Sequence, residues 1–227
     1  MKKAMIVIAA VAVLCLTGGG SALAVTTTLT LTGTYNDLYS YNNVLAGPYQ
    51  FTVGSTSGVA LICDTYQNEI YMNETWTANV IQGNAVTSTN TLLPIGTQAY
   101  DEIFWLVEQM NATTNQSTIQ DIQYAIWTIG DPGSTPPVGT DTDMIWVNGK
   151  LVNAVTYWLS QAAADWSTVD AADFVVYVPV AGSQPKGDGM PQEFIEYVPE
   201  PSSLLFLGIS LLMIAGAVSL KVSKTHI

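Results

Sequence analysis

The chain has no arginine, and its one histidine, His226, is the penultimate residue. Without a histidine elsewhere, neither a Ser-His-Asp nor a Cys-His nucleophile pair can be assembled in the body of the chain. Zinc sites of the usual kinds lack their ligands for the same reason, and no phosphate-binding or dinucleotide-binding glycine pattern occurs. No cofactor and no metal is therefore expected. Basic residues are scarce as well. All 18 acidic residues lie from Asp37 to Glu200, opposed there only by Lys150 and Lys186, and the net charge is -12. Nucleic acid is not an expected partner, because binding it relies on Lys and Arg to displace counterions.

Cysteine is the third scarcity: the chain holds two, Cys15 and Cys63. Cys15 lies in an N-terminal stretch made of Lys2 and Lys3, an apolar run from Ala4 to Leu16, and small residues ending in Ala22-Leu23-Ala24. That order reads as a secretory signal peptide over residues 1–24, cleaved after Ala24. A lipoprotein reading of Cys15 fails on the bulky Leu14 before it. Cys63 is then the one thiol of an exported protein, with no partner for a disulfide.

At the other end, Ser202 to Leu220 carries no charge and is followed by Lys221 and Lys224. A membrane span needs about 20 mostly apolar residues, and basic residues beyond it hold that end in the cytoplasm. Val198-Pro199-Glu200-Pro201 stands directly before the span. Pro-Glu-Pro, an apolar helix and a short basic tail resemble the PEP-CTERM sorting signal of Gram-negative bacteria, with lysine replacing the more usual arginine cluster. The resemblance covers residues 198–227: motif 198–201, transmembrane helix 202–220, tail 221–227. It implies an exosortase as processing partner, a transient stay in the inner membrane, and delivery to the cell surface or extracellular matrix.

Residues 25–197 make one domain on length, rich in Trp, Tyr, Val and Ile and so able to pack a core. Residues 26–34 are β-branched and strand-like, and 49–54 with 59–66 read as a hairpin. A strand is expected over 69–81, with Glu74 the one charge on its apolar side, at a bulge or edge. The period then becomes helical. Tyr100, Ile103, Phe104, Val107 and Met110 mark a helix over 97–110. A second is expected over 117–129, with Ser117 and Gln120 in capping-box positions and Gly130 as the stop. "DPGSTPPVG" at 131–139 is loop, and a third helix fits 149–165. Strands follow at 173–180 and 193–198. Strands, helices and strands in that order suggest an α+β domain, an antiparallel sheet or barrel with about three inserted helices.

Carboxylates are plentiful. Asp101, Glu102, Asp121, Asp131, Asp141 and Asp143 leave a two-carboxylate polysaccharide hydrolase open on inventory, although no spacing among them is diagnostic. Asp141, Asp143 and Asp188 offer oxygens to calcium without the spacing of a calcium loop.

Cys63 admits three readings. It is a small buried hydrophobe on a strand; or a redox thiol, which the carboxylate of Asp64 disfavours by suppressing the thiolate; or half of a bond to a carbonyl partner. "QYAIW" at 123–127 supplies such a partner. A strand cysteine followed by a helix bearing Gln-x-Ala-Ile-Trp resembles the bacterial surface thioester domains of adhesins, apart from Ile122 where a threonine often precedes the glutamine. The resemblance implies that Cys63 supplies the sulfur and Gln123 the acyl carbon, joined with loss of ammonia. It implies a binding or adhesion module that attaches once to an amine or hydroxyl on a surface or matrix polymer or protein, and is not a turnover enzyme.

At about 100° per residue, Gln123 and Trp127 fall together on the flank of the Ile119, Ile122, Ile126 and Ile129 stripe, which places the glutamine at the border of solvent. Asp64, Tyr66, Asp121 and Tyr124 stand near enough in sequence to move protons. The alternative is a non-reactive structural matrix protein in which Cys63 is a core residue.

Overall fold

In a computed structural model, residues 25–34, 40–41, 44–132, 144–184 and 189–199 are described. Strand β1 (Val25–Thr34) opens the domain. The short strands β2 (Ser40–Tyr41) and β3 (Val44–Leu45) pair with each other. β4 (Tyr49–Val53) and β5 (Thr56–Cys63) form a hairpin in which Val53 faces Thr56, and Gly54 closes it at φ 58°, a left-handed value that costs glycine least. After β6 (Thr75–Gln82) come helices α1 (Thr97–Asn111) and α2 (Gln116–Gly130). A small hairpin, β7 (Met144–Val147) and β8 (Lys150–Asn153), leads into helix α3 (Ala154–Asp165). β9 (Phe174–Pro179) and β10 (Phe194–Tyr197) end the domain.

Six strands close into an antiparallel barrel in the order β1-β4-β5-β10-β9-β6, and with the three α-helices among the described residues the domain is α+β. Phe51, Trp76 and Phe194 fill the barrel, Phe51 lying 4.8 Å from Phe194 and 5.8 Å from Trp76 between ring centroids. Such offset or edge contacts suit aromatic quadrupoles. Outside the barrel, Phe104 of α1 stacks on Phe174 of β9 at 4.6 Å. α2 packs between α1 and α3. Its residues 121–127 are all buried, so neighbours cover the helix on every side and no polar flank remains.

Several elements differ from the sequence expectation. The strand expected over 69–81 starts only at Thr75. Ahead of it Asn73 turns through φ 66°, and the Glu74 carboxylate accepts the Tyr71 N–H at 2.9 Å. Glu74 thus closes a turn and marks neither a bulge nor an edge. α2 is capped by Asn115, whose side chain accepts the Thr118 N–H at 3.0 Å, and not by Ser117. Gly130 is the last helical residue. The helix expected over 149–165 begins at Ala154, with Asn153 capping through the Thr156 N–H at 3.0 Å. Residues before it form the β7–β8 hairpin, which turns at Asn148-Gly149 with φ of 49° and 76°. An Asn-Gly pair in that conformation matches the twist of two paired strands.

Among the described residues no helix is long and apolar enough to cross a membrane. Val198 is half exposed, and its N–H donates to Asp173 O at 2.7 Å as the chain leaves β10. Residues 1–24, expected as a signal peptide, Glu200, Pro201, the expected span 202–220 and the expected tail 221–227 lie outside the described residues, as do Asp141, Asp143 and Asp188.

Candidate functional site

Cys63 is the last residue of β5, paired with Phe194 of β10, and is fully buried as a free thiol. Directly opposed residues of two antiparallel strands share a face, so the thiol lies on the Phe194 side of the sheet. There it donates to Thr65 O at 2.9 Å. The indole of Trp127 lies against the sulfur, without a hydrogen bond of ordinary geometry from Nε1. Burial pushes the thiol pKa well up, and any charge on Asp64 pushes it further.

Gln123 reaches Cys63 from α2. Its Nε2 donates to the Cys63 carbonyl oxygen at 2.7 Å, while its Oε1 is buried with no hydrogen-bond partner. The border position expected for this residue is incorrect: Gln123 is 0% exposed. The isoleucine stripe marks only one of the buried faces of α2, because residues 121–127 are covered all round and the helix packs on both α1 and α3. The amide is therefore shut off from bulk solvent, and its Oε1 has no partner among the protein's own groups. An unmet buried polar group costs about 1–3 kcal/mol.

One turn further along α2, Trp127 packs at a tilt against Tyr66 at 5.3 Å and edge-on against Tyr124 at 5.5 Å. Trp127, Tyr66, Tyr49 and Gln192, with Glu69 and Tyr71, line a groove of about 490 Å³. Trp127 is 1% exposed and borders both this groove and the thiol. Glu69 is the one charged residue of the groove lining among the described residues.

The segments flanking Cys63 and Phe194 are laced together. Thr65 O accepts Gln192 Nε2 at 3.0 Å, Thr65 Oγ1 accepts the Glu193 N–H at 3.1 Å, and Asn68 Nδ2 donates to Pro191 O at 3.0 Å. This lacing holds Asp64 and Glu193, both 0% exposed, as a pair of buried acids. Glu193 accepts the Tyr100 hydroxyl at 2.5 Å and the Leu92 N–H at 2.6 Å. Asp64 accepts no hydrogen bond of ordinary geometry and faces Glu193. Burial, then the charge of Glu193, holds the Asp64 carboxyl well above the usual carboxylate range. Burial raises the Glu193 carboxyl too, and the Asp64 carboxyl, the Leu92 N–H and the Tyr100 hydroxyl offset that only in part.

The structure thus brings Cys63, Gln123, Asp64, Tyr66, Tyr124 and Trp127 into one region where α2 meets the end of β5. Glu193 and Tyr100 belong to it and were not singled out by the sequence. A signal existed: an acid opening an apolar strand, in a domain without arginine, has to be met by hydrogen-bond donors or another acid if buried. Of the acids weighed for hydrolysis, Asp101 and Glu102 lie on α1, Asp121 on α2 and Asp131 just past it. No group of three or more His, Cys, Asp or Glu side chains suited to a metal occurs among the described residues.

No family model matches the chain, and no curated protein matches it. Two solved structures are similar. One is the N-terminal thioester domain of fibronectin-binding protein SfbI from Streptococcus pyogenes, 13% identical over 78% of this chain and 95% of that one, with a TM-score of 0.44. The other is the N-terminal thioester domain of a protein F2 like fibronectin-binding protein from Streptococcus pneumoniae, 13% identical over 76% of this chain and 92% of that one, with a TM-score of 0.40. Likeness at this level carries neither chemistry nor ligand from those domains to this chain.

Proposed function

We propose that this domain is an exported adhesion module that closes a thioester between Cys63 Sγ and Gln123 Cδ and spends it once on a surface or matrix ligand. The observation that carries the reading is the Gln123 amide, fully buried, 2.7 Å from the Cys63 carbonyl and left with a partnerless Oε1. A helix packed on all sides gains more from an apolar residue at such a place than from a half-satisfied amide. Chemistry with its neighbour explains why an amide stands there.

In the closing step the sulfur attacks Cδ, the S–Cδ bond forms, the Cδ–Nε2 bond breaks, and the nitrogen departs as ammonia with the thiol proton. An arriving amine or hydroxyl then takes the acyl group and the thiol returns. The groove on the far side of Trp127 is the approach for that nucleophile. Each molecule acts once, so the domain is not a turnover enzyme. Its route is the one implied by Val198-Pro199-Glu200-Pro201: exosortase processing and release to the surface from a temporary hold in the inner membrane.

Methylamine tests the capture. The exported chain is expected to gain one methylamine on Gln123 and to expose one reactive thiol in step, whereas Cys63→Ala and Gln123→Ala gain none. Uptake by Cys63→Ala equal to the native chain would sink the reading. Complete burial of the free thiol, with its S–H donating to Thr65 O, favours a second reading, a structural matrix protein with an inert core cysteine. That reading requires no methylamine uptake and a single thiol titrating only in the unfolded chain.

A further inference from the structure

Apart from Val25 and Val198, which stand near the two ends of the domain, the large apolar side chains exposed among the described residues fall into two sets. Leu45, Tyr71 and Met72 line the groove that Trp127 borders. Met144, Trp146 and Leu151 stand on the β7–β8 hairpin, Trp146 directly opposite Leu151 and Met144 two residues before it, so the three share one face. Trp146 is 73% exposed. Since both sets are open to solvent, neither covers the other within one chain. Clustered apolar side chains left exposed mark surfaces where a partner docks.

The two sets carry opposite charge. Lys150 follows the Asn148-Gly149 turn, opposite Val147, so an exposed amine stands at the tip of the hairpin. It is the one lysine among the described residues, and the chain has no arginine. In the groove the charge is that of Glu69, whose carboxylate accepts the Tyr71 hydroxyl at 2.9 Å, and the rings of Tyr66 and Tyr71 stand in the same lining. Aromatic faces beside a carboxylate attract an ammonium group, and a groove of about 490 Å³ has the size that takes a side chain. A cationic tip backed by an apolar face and an apolar groove holding one acid are thus complementary in both respects.

We propose that the ligand is a second copy of this chain, whose β7–β8 hairpin enters the groove and whose Lys150 takes the acyl group of Gln123. The inference rests on the thioester reading above and names its nucleophile. In its neutral form the amine attacks Cδ. The Nζ–Cδ bond forms, the Cδ–S bond breaks, and a proton passes from Nζ to sulfur, leaving an amide between the two copies and a free Cys63 thiol. Trp127 borders both the groove and the sulfur, so its indole is the side chain that the arriving amine has to displace. Hairpin and groove are different surfaces, which makes the contact head-to-tail. Each joined copy keeps one of the two surfaces free, and the product is an open series of covalent oligomers or a ring.

The test uses the exported chain at rising concentration, read by denaturing gels and by the masses of digested peptides. The native chain is expected to give oligomers that survive denaturant and reductant, joined through a branched peptide that holds Gln123 and Lys150. Lys150→Arg keeps the charge and removes the amine; it should lose the oligomers and still gain methylamine, whereas Cys63→Ala loses both. Mixed together, Lys150→Arg supplies the acyl group and Cys63→Ala the amine, so the mixture should form covalent dimers and nothing longer. A native chain that gains methylamine yet stays monomeric overturns self-capture and leaves the thioester standing. So does a branch through any residue other than Lys150, or a monomer joined to its own Lys150. A chain that neither gains methylamine nor joins another overturns both readings.

Discussion

Trp127→Ala is expected to lower the stability of the domain by about 3–5 kcal/mol, the usual cost of removing a large buried aromatic side chain. The indole is 1% exposed and is held by Tyr66 at 5.3 Å and Tyr124 at 5.5 Å, so its loss leaves a cavity that two rings bordered. A second effect follows from its place. Trp127 borders both the groove and the Cys63 sulfur. Removing it is expected to open the thiol toward the groove and admit water. Thermal melting and the rate of Cys63 labelling by a thiol reagent measure the two effects. The mutant should melt lower and label far faster under conditions where the native chain is inert. Faster labelling must appear well below the melting transition, since unfolding alone also exposes the thiol. Native melting with native protection would contradict the placement of Trp127.

Gly130→Ala carries the other large effect. A Cβ at Gly130 would stand 2.4 Å from the Asp64 carbonyl oxygen and 2.9 Å from Leu93 Cδ1. The first neighbour is backbone and cannot turn aside, so the end of α2 must move away from residue 64. Overpacking of this kind costs about 1–3 kcal/mol. Gln123 rides on the same helix and meets Cys63 through one 2.7 Å contact, so a displaced α2 separates the amide from the strand. The expected result is a lowered melting temperature and much slower ammonia loss, read by melting and by mass on the same sample. Unchanged closing would show that the helix end is free of the site.

Much of this arrangement was legible in the residues, for definite reasons. Tyr100, Ile103, Phe104, Val107 and Met110 repeat at helical spacing and are all buried on α1. The hairpin of β4 and β5 was marked by β-branched runs around a Gly-Ser turn. The failures came where two local signals competed. Leu151 and Val152 extend the apolar spacing of α3 backwards, yet Asn148-Gly149 turns the chain into a hairpin, and Leu151 is exposed on it. Asn115 and Ser117 can each cap a helix, and the sequence does not rank them; Asn115 does so because its side chain reaches the Thr118 N–H.

The site divides in the same way. Cys63 and Gln123 stood out as a lone thiol and a motif glutamine. The burial of Gln123 did not, because one helix read alone cannot show that neighbours cover its flank. Nor did the pairing of Asp64 with Glu193, two acids distant in sequence that meet only once β5 and β10 lie side by side.

The central claim is a covalent bond between Cys63 and Gln123, and the intact mass of the exported chain tests it most directly. The account expects a mass lower by one ammonia than the mature sequence requires, restored in Cys63→Ala to the full value for that variant. A native chain at its full sequence mass, with Cys63 free to react once unfolded, would contradict it.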